Sequence, residues 1–387
     1  MKQPSTTASQ PKGTTDLVGK VPSRLHALPL ELQQVILNVF GTAFPMAQNV
    51  ESLTHIVQAV KGHLFNRDFS SAFGQPSYLQ VYALRWSAAR ALGYSHILTH
   101  PDRASLLTML CAMSDQNQTE SLSGNTRDSL AGNRTESVSK VVCIGGGAGG
   151  EVVALAAAYR QLDMKSLLQI IAVDSADWSD PIAKLSLALT TAPTLSTHAS
   201  EAAKARIENQ PLLDDPLKVT VSFIHQDVLT WDLEAIKQTL KGSALCTIMF
   251  TLNELFSSSL PKATSFLLNV TTAMPEGSQL LVVDSPGSYS EIQLRRSSQV
   301  QSSETEQEAA PTKKYPMKWL LDHTLLEVAR SGNDAAWEKV ESEDSLWFRI
   351  DQKERDKLRY PVELEHMRYQ LHCYRRLRSP QSGALDA

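Results

Sequence analysis

A glycine-rich turn between an apolar strand and an alanine-rich helix limits what this chain can fold into. Residues 141–151 read VVCIGGGAGGE, and the helix-favouring stretch VVALAAAYRQL follows directly. A backbone that turns sharply from strand to helix needs residues that tolerate positive φ, which glycine does without steric cost. Amide groups exposed at the start of such a helix can face a polar or negatively charged ligand. The sequence therefore predicts a strand–turn–helix ligand site.

The spacing of the glycines is compatible with two nucleotide cofactors. Gly145, Gly147 and Gly150 fit the GxGxxG pattern of dinucleotide-binding proteins. Gly145, Gly147 and Gly149 equally fit the GxGxG pattern of S-adenosylmethionine enzymes. The next strand pattern, LLQIIAVD, ends at Asp174, where a carboxylate can accept hydrogen bonds from both ribose hydroxyls. We predict that Gly145, Gly147, Gly149 and Asp174 bind the cofactor.

Strand-like and helix-like patterns alternate along the chain around this turn. The apolar strand candidates lie at 141–145, 167–174, 217–224, 244–251 and 278–284. Helical patterns follow them at 149–162, 181–190, 199–209, 231–240 and 260–273. Such alternation predicts an α/β protein with a parallel, doubly wound sheet.

The C-terminal part adds a helical segment, PMKWLLDHTLLEVA, and two strand patterns, SLWFRI and HMRYQLHCYRR. A closing pair of strands after five βα units is typical of the class I methyltransferase Rossmann-like fold. We therefore predict a seven-stranded, mostly parallel sheet with an antiparallel last strand, preceded by a helical N-terminal region.

Composition and helical periodicity divide the chain into segments. Apolar residues recur at three- and four-residue spacing in SLTHIVQAVKGHLF and SYLQVYALRWSAARALGYSHIL, which indicates amphipathic helices. Stretches rich in Ser, Thr, Gln and Asn with few large apolar groups indicate loops or disorder. We predict a disordered tail at 1–20, the helical region at 21–113 and a flexible loop at 114–139. The methyltransferase domain follows at 140–378, with a disordered insertion at 297–314, and a second tail ends the chain at 379–387.

Composition also limits the kinds of partner, metal ion and membrane that the chain is expected to bind. The net charge of −4 provides no overall attraction to nucleic acid, so any RNA contact needs a local basic patch. The four cysteines form no CxxC pair and the histidines no HExxH pattern, which predicts no metal site and no disulfide framework. No apolar run approaches the roughly 20 residues that span a bilayer, and no secretory signal is recognisable, so we expect an intracellular protein without a membrane segment.

Further polar residues follow the second and third strand patterns and begin the first helix. Asp227, in FIHQDVL, is placed to accept from the adenine amine or to cap the next helix. Glu151 is placed to contact the amino end of the ligand, although a first-turn acid also suits the helix dipole. Methyltransferases usually carry an acid where this chain has Cys143. Asp177 and Trp178 either flank the adenine or serve as a cap and a packed ring.

The fourth and fifth strand patterns end in the candidate catalytic residues. Ligands of doubly wound sheets sit beyond the carboxyl ends of the strands. Asn253 and Glu254 lie there in ALCTIMFTLNELF, and Asp284 lies there in VVDSPGSYSEI. Helix capping and Pro-Gly turn chemistry are the alternative explanations. No His/Asp or Tyr/Lys pair placed for hydride transfer is evident, which favours S-adenosylmethionine over a nicotinamide cofactor.

The motifs VVCIGGGAGGE, TLNELF and VVDSPGSYSEI resemble those of a fungal family of S-adenosylmethionine-dependent large-subunit (25S) rRNA uridine-N3 methyltransferases. YALRWSAARALGY and YPVELEHMRYQLHCYRRL extend the resemblance, which runs from about Leu28 to Leu377. Cys143 belongs to the pattern of that family. The resemblance implies S-adenosylmethionine as cofactor, ribosomal RNA or a pre-ribosomal particle as partner, and a nuclear or nucleolar location, with the cytoplasm as a second one. We expect a monomer.

Methylation of N3 sets chemical requirements. N3 carries an imide proton, which a positioned carboxylate could take; Glu254 and Asp284 are the candidates for this base. N3 also lies on the pairing edge, so the uridine must be unpaired or flipped out.

RNA contacts are expected from a basic segment near the C-terminus. Residues 351–378 hold eight Lys/Arg against five acids, with three tyrosines interleaved that could stack on bases: Tyr360, Tyr369 and Tyr374. The alternative is that these residues form a solvated charged surface beside a final strand. Arg85 and Arg90 are expected either to cover the cofactor or grip phosphate, or to pack a helix on the sheet.

Three other functions stay open at this point. The first is a methyltransferase of the same fold that acts on a protein or small molecule. The second is an NAD(P)-dependent oxidoreductase, and the third a non-catalytic fold that binds a partner.

Overall fold

The computed structural model describes residues 28–45, 50–115, 138–287, 289–293, 312–330 and 334–378. Both predicted tails, most of the predicted loop at 114–139 and most of the predicted insertion at 297–314 lie outside these residues. The division into domains therefore stays a prediction.

A central sheet confirms the predicted fold class. Its first five strands are β1 (Val138–Ile144), β2 (Leu167–Asp174), β3 (Val219–His225), β4 (Ser243–Met249) and β5 (Gln279–Asp284). Two closing strands complete it, β8 (Trp337–Phe348) and β9 (Met367–Arg376). The seven strands lie in the order β3-β2-β1-β4-β5-β9-β8. β1 to β5 are mutually parallel, and β9 runs antiparallel to β5.

Helices cover both faces of the sheet and confirm the predicted helical N-terminal region. The N-terminal set is α1 (Leu30–Ala43), α2 (Val50–Phe65), α3 (Phe69–Ala72), α4 (Pro76–Tyr82), α5 (Ala88–Thr99) and α6 (Ala104–Asp115). The connecting helices are α7 (Gly150–Gln161), α8 (Ser179–Ala188), α9 (Glu201–Lys204), α10 (Leu233–Leu240), α11 (Leu252–Ser258), α12 (Leu260–Ala273), α13 (Met317–Asp322) and α14 (Gln352–Arg355). Among the described helices, none is long and apolar enough to cross a bilayer.

Two strands at the predicted insertion were not expected. β6 (Tyr289–Gln293) and β7 (Thr312–Pro316) pair as an antiparallel hairpin, so residues 312–314 of the predicted insertion belong to a strand. Their short, polar sequences carry no apolar alternation for a pattern to detect.

The first closing strand is also longer than SLWFRI indicated. β8 begins at Trp337, and its register against β9 shifts twice. Its polar first half, WEKVESED, fits an edge strand, where exposed side chains and bulges are common.

The N-terminal helices belong to the same core as the sheet. One hydrophobic cluster joins α1, α5 and α7 with side chains from β1, β2 and β9, while a second lies on the opposite face under α10, α12 and α13. Leu92 of α5, which packs against α7, is fully buried in the first cluster. The helical region and the sheet therefore depend on each other for burial.

Leu92→Ala tests this shared core. The substitution leaves a cavity in the first hydrophobic cluster, and we expect it to lower the free energy of unfolding by about 2–5 kcal/mol. We also expect a single transition, with tryptophan fluorescence and far-ultraviolet circular dichroism changing together in urea. Leu187→Ala, on the exposed surface of α8, is the control and should change the midpoint little. A separate early transition in Leu92→Ala would contradict the shared core.

Candidate active site

The glycine turn has no room for side chains. Gly145 and Gly149 have φ of 74° and 78°, in the left-handed region. A Cβ on Gly145 would lie 2.0 Å from Oγ1 of Thr251, and one on Gly149 would lie 2.1 Å from Cδ1 of Leu185. One on Gly147 would lie 2.2 Å from Cδ1 of Trp178. The three predicted glycines are thus required by the way the turn packs between β4 and α8.

Asp174 connects the tip of β2 to this turn. Its Oδ2 accepts from the amide of Gly147 at 3.1 Å, and its Oδ1 accepts from the amide of Ala176 at 3.2 Å. Burial raises the pKa of Asp174, while these amides oppose the shift. The carboxylate is held in one orientation, and each oxygen can accept a further hydrogen bond.

Glu151 is buried rather than exposed in the first turn of α7. Its side chain accepts from Oγ1 of Thr247 on β4 at 2.5 Å, and the residue is only 4% exposed. Burial raises the pKa of Glu151 to about 8. The carboxyl group also raises the pKa of the Cys143 thiol, second to burial. Glu151 thus places a carboxyl group beside Cys143, where methyltransferases usually carry an acid.

Asp227, Asp177 and Trp178 take different positions. Asp227 lines the cavity, and its Oδ1 accepts from the amide of Leu229 at 2.9 Å, so it also caps a short 3-10 turn. Asp177 is exposed, lies outside the lining and accepts from Ser179 at the start of α8. Trp178 is 1% exposed and forms part of the cavity wall.

The tips of β4 and β5 bring the predicted catalytic residues together. Asp284 is 3% exposed, and its two oxygens accept from the amides of Asn253 at 3.0 Å and Ser285 at 2.7 Å. Burial raises the pKa of Asp284 to about 6. Oδ1 of Asn253 is buried with no hydrogen-bond donor among the described residues. The side chain of Glu254 is 36% exposed and lies 4.0 Å from Arg67.

The N-terminal helices add side chains that the sequence patterns did not assign firmly. Tyr82 and Ser87 line the cavity at either end of a π-helical segment, Ala83–Ser87, that joins α4 to α5. Arg90 donates to the hydroxyl of Tyr82 at 2.8 Å, and its guanidinium lies 4.8 Å from the ring centroid of Phe250. Arg85 instead pairs with Glu365 at 2.5 Å.

Arg90 therefore faces the cavity, whereas Arg85 holds the C-terminal segment. The sequence offered no simple signal for Arg90, because the π-helical segment Ala83–Ser87 shifts the following residues off the regular helical repeat.

Phe250 marks a strained point in the wall. Its φ is 55°, which is uncommon for a residue with a side chain, and its amide donates to the carbonyl of Val283 at 2.7 Å. Such strain costs of order 1–3 kcal/mol and concentrates at functional sites. The turn after β4 is thus held against β5 in a conformation that the surrounding packing must maintain.

One cavity of about 550 Å³ collects these groups. The predicted residues that line it are Gly145, Gly149, Glu151, Asp174, Asp227, Asn253, Glu254 and Asp284. Gly147 lies behind them, where its amide holds Asp174. The volume suits a nucleoside-sized cofactor. S-adenosylmethionine fits the groups present: the glycine turn, the oriented carboxylate of Asp174 and the Asn253 oxygen that has no hydrogen-bond donor among the described residues. No cluster able to hold a metal ion occurs in the described part of the chain.

The predicted RNA-binding role of the C-terminal tyrosines is wrong for two of them. Tyr369 is 2% exposed and Tyr374 fully buried, because helices cover both faces of β9. Tyr360 is half-buried, and its hydroxyl donates to the carbonyl of Leu84 at 2.7 Å. Two of the arginines of this segment form ion pairs, Arg355 with Glu363 and Arg375 with Glu338.

This chain is similar in sequence to a curated protein and weakly similar in structure to several solved ones. Among curated proteins, the 25S rRNA (uridine(2843)-N(3))-methyltransferase of Saccharomyces cerevisiae is 29% identical, over 91% of this chain and 89% of that protein. Among solved structures, the antibiotic-resistance methyltransferase Kmr is 14% identical with a TM-score of 0.32, covering 62% of this chain and 88% of that one. A SAM-dependent methyltransferase from Methanosarcina mazei is 10% identical with a TM-score of 0.32, covering 62% and 93%. Scores this low carry no conclusion about function.

The family comparison is decisive. The model described as "Putative SAM-dependent methyltransferase" matches residues 40–375, which include α2 to α6, the glycine turn and nearly all of both closing strands. The glycine turn, the acid at the tip of β2 and the strand order agree with that match. The chain belongs to this family of S-adenosylmethionine-dependent methyltransferases.

Proposed function

We propose that the chain transfers a methyl group from S-adenosylmethionine to N3 of a uridine in large-subunit ribosomal RNA. One observation carries the proposal: a buried carboxylate, Asp284, shares a cavity with the glycine turn and Asp174. The candidate base and the candidate cofactor-binding turn thus line one cavity. The nucleotide and the atom come from the name of the yeast relative, which is similar over 91% of this chain.

The cofactor would supply an electrophilic methyl group, and the sulfonium sulfur would keep the bonding electron pair as S-adenosylhomocysteine leaves. Asp174 would hold the ribose hydroxyls with the lone pairs that Gly147 and Ala176 leave free. Asp227 would accept from the adenine amine with Oδ2, because its Oδ1 caps the turn. Glu151 would pair with the amino end, and an ammonium beside it would lower its raised pKa. The turn from Gly145 to Gly149 would provide the close backbone approach.

Asp284 is the stronger candidate for the base. Its carboxylate is oriented by two amides, and a pKa near 6 leaves it ionised at neutral pH yet able to accept a proton. As N3 loses its proton to Asp284, its lone pair becomes available for the methyl group. Negative charge then develops on the imide oxygens of uracil, and the guanidinium of Arg90 in the same wall can offset it.

Asn253 and Glu254 have supporting roles in this mechanism. Oδ1 of Asn253, which has no hydrogen-bond donor among the described residues, would accept a hydrogen bond from the substrate or from the cofactor amine. Glu254 lies closer to solvent and remains the alternative base. The proposed substrate implies work in the nucleus or nucleolus, and a monomer stays our expectation. A protein or small molecule as methyl acceptor is the second candidate, since family membership alone does not fix the acceptor.

The nucleosides of ribosomal RNA test the substrate directly. In a strain that lacks this chain, we expect N3-methyluridine in large-subunit RNA to fall, as measured by mass spectrometry of digested RNA. Re-expression of the wild-type chain should restore it, and the Asp284→Asn variant should not. Unchanged N3-methyluridine would eliminate this substrate and leave the other acceptors.

Asp174→Ala tests the cofactor site. The loss of charged hydrogen bonds to the ribose should weaken binding of S-adenosylhomocysteine about tenfold to a hundredfold in calorimetry. Asp177→Ala removes a neighbouring carboxylate outside the cavity and is the matched control, with an unchanged Kd. Equal affinities in all three proteins would remove Asp174 from the cofactor site.

Asp284→Asn and Glu254→Gln separate the two candidate bases. If Asp284 is the base, Asp284→Asn should lower kcat about 10²–10⁴-fold, whereas Glu254→Gln should lower it far less. The base acts when ionised, so kcat/KM of the wild type should fall as pH decreases through about 6. A larger loss in Glu254→Gln would transfer the role to Glu254. S-adenosylhomocysteine affinity should stay near wild type in both variants, which checks that the fold is intact.

A further inference from the structure

Two exposed tryptophans lie outside the cavity near the closing strands. Trp319, on α13, is 48% exposed, and Trp347, on β8, is 49% exposed. By contrast, Trp178 and Trp337 are 1% and 2% exposed. Large apolar rings left in water often mark a surface that binds a partner.

Trp347 is surrounded by positive charge. The guanidinium of Arg349 lies 4.6 Å from its ring centroid, and that of Arg368 lies 5.7 Å away. Arg368 is its cross-strand neighbour on β9, and its Nε donates to Oγ of Ser345 at 3.1 Å. Within the described residues, no carboxylate lies within 4 Å of either guanidinium. Both positive charges are therefore available to an anionic partner.

Trp319 is the middle ring of a stack. Tyr315 precedes it with centroids 4.8 Å apart and planes inclined by 26°. His323, one helical turn further on, lies at 5.1 Å and 10°. His323 is also held by Glu327 at 2.7 Å. The stack presents aromatic edges and faces in a fixed arrangement.

The two clusters lie on the same face of the sheet. Met367 and Tyr369 point into the core under the N-terminal helices. Side chains alternate along a strand, so Arg368 between them points to the other face. That face is the one α13 covers, as the hydrogen bond from Tyr374 to Asp322 shows at 2.7 Å.

An ion pair bridges the clusters, because Lys318 of α13 contacts Asp344 of β8 at 2.5 Å. Together they form the Trp319–Trp347 surface, made of Tyr315, Trp319, His323, Trp347, Arg349 and Arg368.

This surface is close to the reacting end of the cavity. Gln370, two residues after Arg368, pairs in register with Asp284 and donates to the carbonyl of Ser285 at 2.7 Å. With two inter-strand spacings and a two-residue rise, the backbone of Trp347 lies about 12 Å from that of Asp284. An RNA strand with one nucleotide in the cavity would pass beside it.

We propose that the Trp319–Trp347 surface binds unpaired RNA next to the target uridine. This rests on the proposed function. Trp347 stacks on a base that flanks the target, the Tyr315–Trp319–His323 stack contacts the next base through its ring edges and outer faces, and Arg349 and Arg368 contact the phosphates between them. The surface suits single-stranded RNA because a duplex keeps its base faces stacked inside, where an exposed ring cannot reach them.

The test uses the full chain with two RNAs: a labelled short oligouridylate for anisotropy and protein-free 25S rRNA as methyl acceptor. Trp347→Ala and Trp319→Ala should each raise the Kd for RNA about fivefold to a hundredfold, and raise KM more than they lower kcat. Trp347→Phe should recover most of the loss. Arg349→Ala and Arg368→Ala should each reduce the salt slope of binding by somewhat less than one.

Two controls keep other effects apart. Leu217→Ala removes a side chain that is 70% exposed beside the opposite edge of the sheet and should leave RNA binding unchanged. The affinity for S-adenosylhomocysteine should stay at the wild-type value in every variant, because none of these residues lines the cavity.

The outcomes distinguish this inference from the proposed function. If the wild type methylates 25S rRNA while the tryptophan and arginine variants keep its Kd and KM, the surface does not bind RNA. A defect seen only on intact pre-ribosomal particles, with normal binding of bare RNA, would indicate a protein partner and overturn the inference. If the wild type itself does not methylate 25S rRNA, the proposed function fails first.

Discussion

The burial of acidic side chains at the strand tips constrains this structure most. Asp174, Asp284 and Glu151 lie near the carboxyl edge of the sheet, and burial raises the pKa of each. A buried carboxylate is costly unless hydrogen bonds satisfy it. Main-chain amides meet this need for the two aspartates, and Thr247 meets it for Glu151. These bonds fix the turns after β1, β4 and β5, so the architecture of the cavity follows from them.

The N-terminal helices are part of this solution. Without them, the first turn of α7 and the tip of β4 would face water, and the environment that raises these pKa values would be lost. α5 packs on α7 and contributes Arg90, whose positive charge lowers the pKa of both Glu151 and Asp284 and so opposes the effect of burial. The helical region therefore both encloses the cavity and adjusts its electrostatics, and the family match includes α2 to α6 of this region.

The sequence was most informative where a pattern is self-contained. The apolar runs of β2 and β5 and the glycine turn were predicted nearly to the residue, because buried parallel strands read as continuous apolar segments. The polar residues after them were predicted to share one edge, since parallel strands end together. The cavity wall from α4 and α5 could not be predicted in the same way, because packing decides which helix face meets the sheet.

The error over Tyr369 and Tyr374 has a physical cause. The interleaved charge of the C-terminal segment suggested an exposed surface, yet β9 lies between β5 and β8, with helices on both faces. Odd-numbered side chains from Met367 to Cys373 enter one core, and Tyr374 enters the other. At Tyr369 and Tyr374, this central strand therefore has no free face for RNA. The two exposed tryptophans, Trp347 and Trp319, instead lie on the edge strand β8 and on α13, which the pattern of charge did not indicate.

The antiparallel last strand has a consequence for the substrate side of the molecule. Because β9 runs against β5, its first residues lie at the carboxyl edge, next to Asp284 and Ser285. β8 in turn ends at that edge, so its last residues join the first residues of β9 there. In an all-parallel sheet, the strand next to β5 would begin at the opposite edge, and the chain would need a further crossover connection to reach it. The reversed strand therefore brings a solvent-exposed edge close to the end of the cavity at Asp284, while the other end is enclosed by the glycine turn and the N-terminal helices.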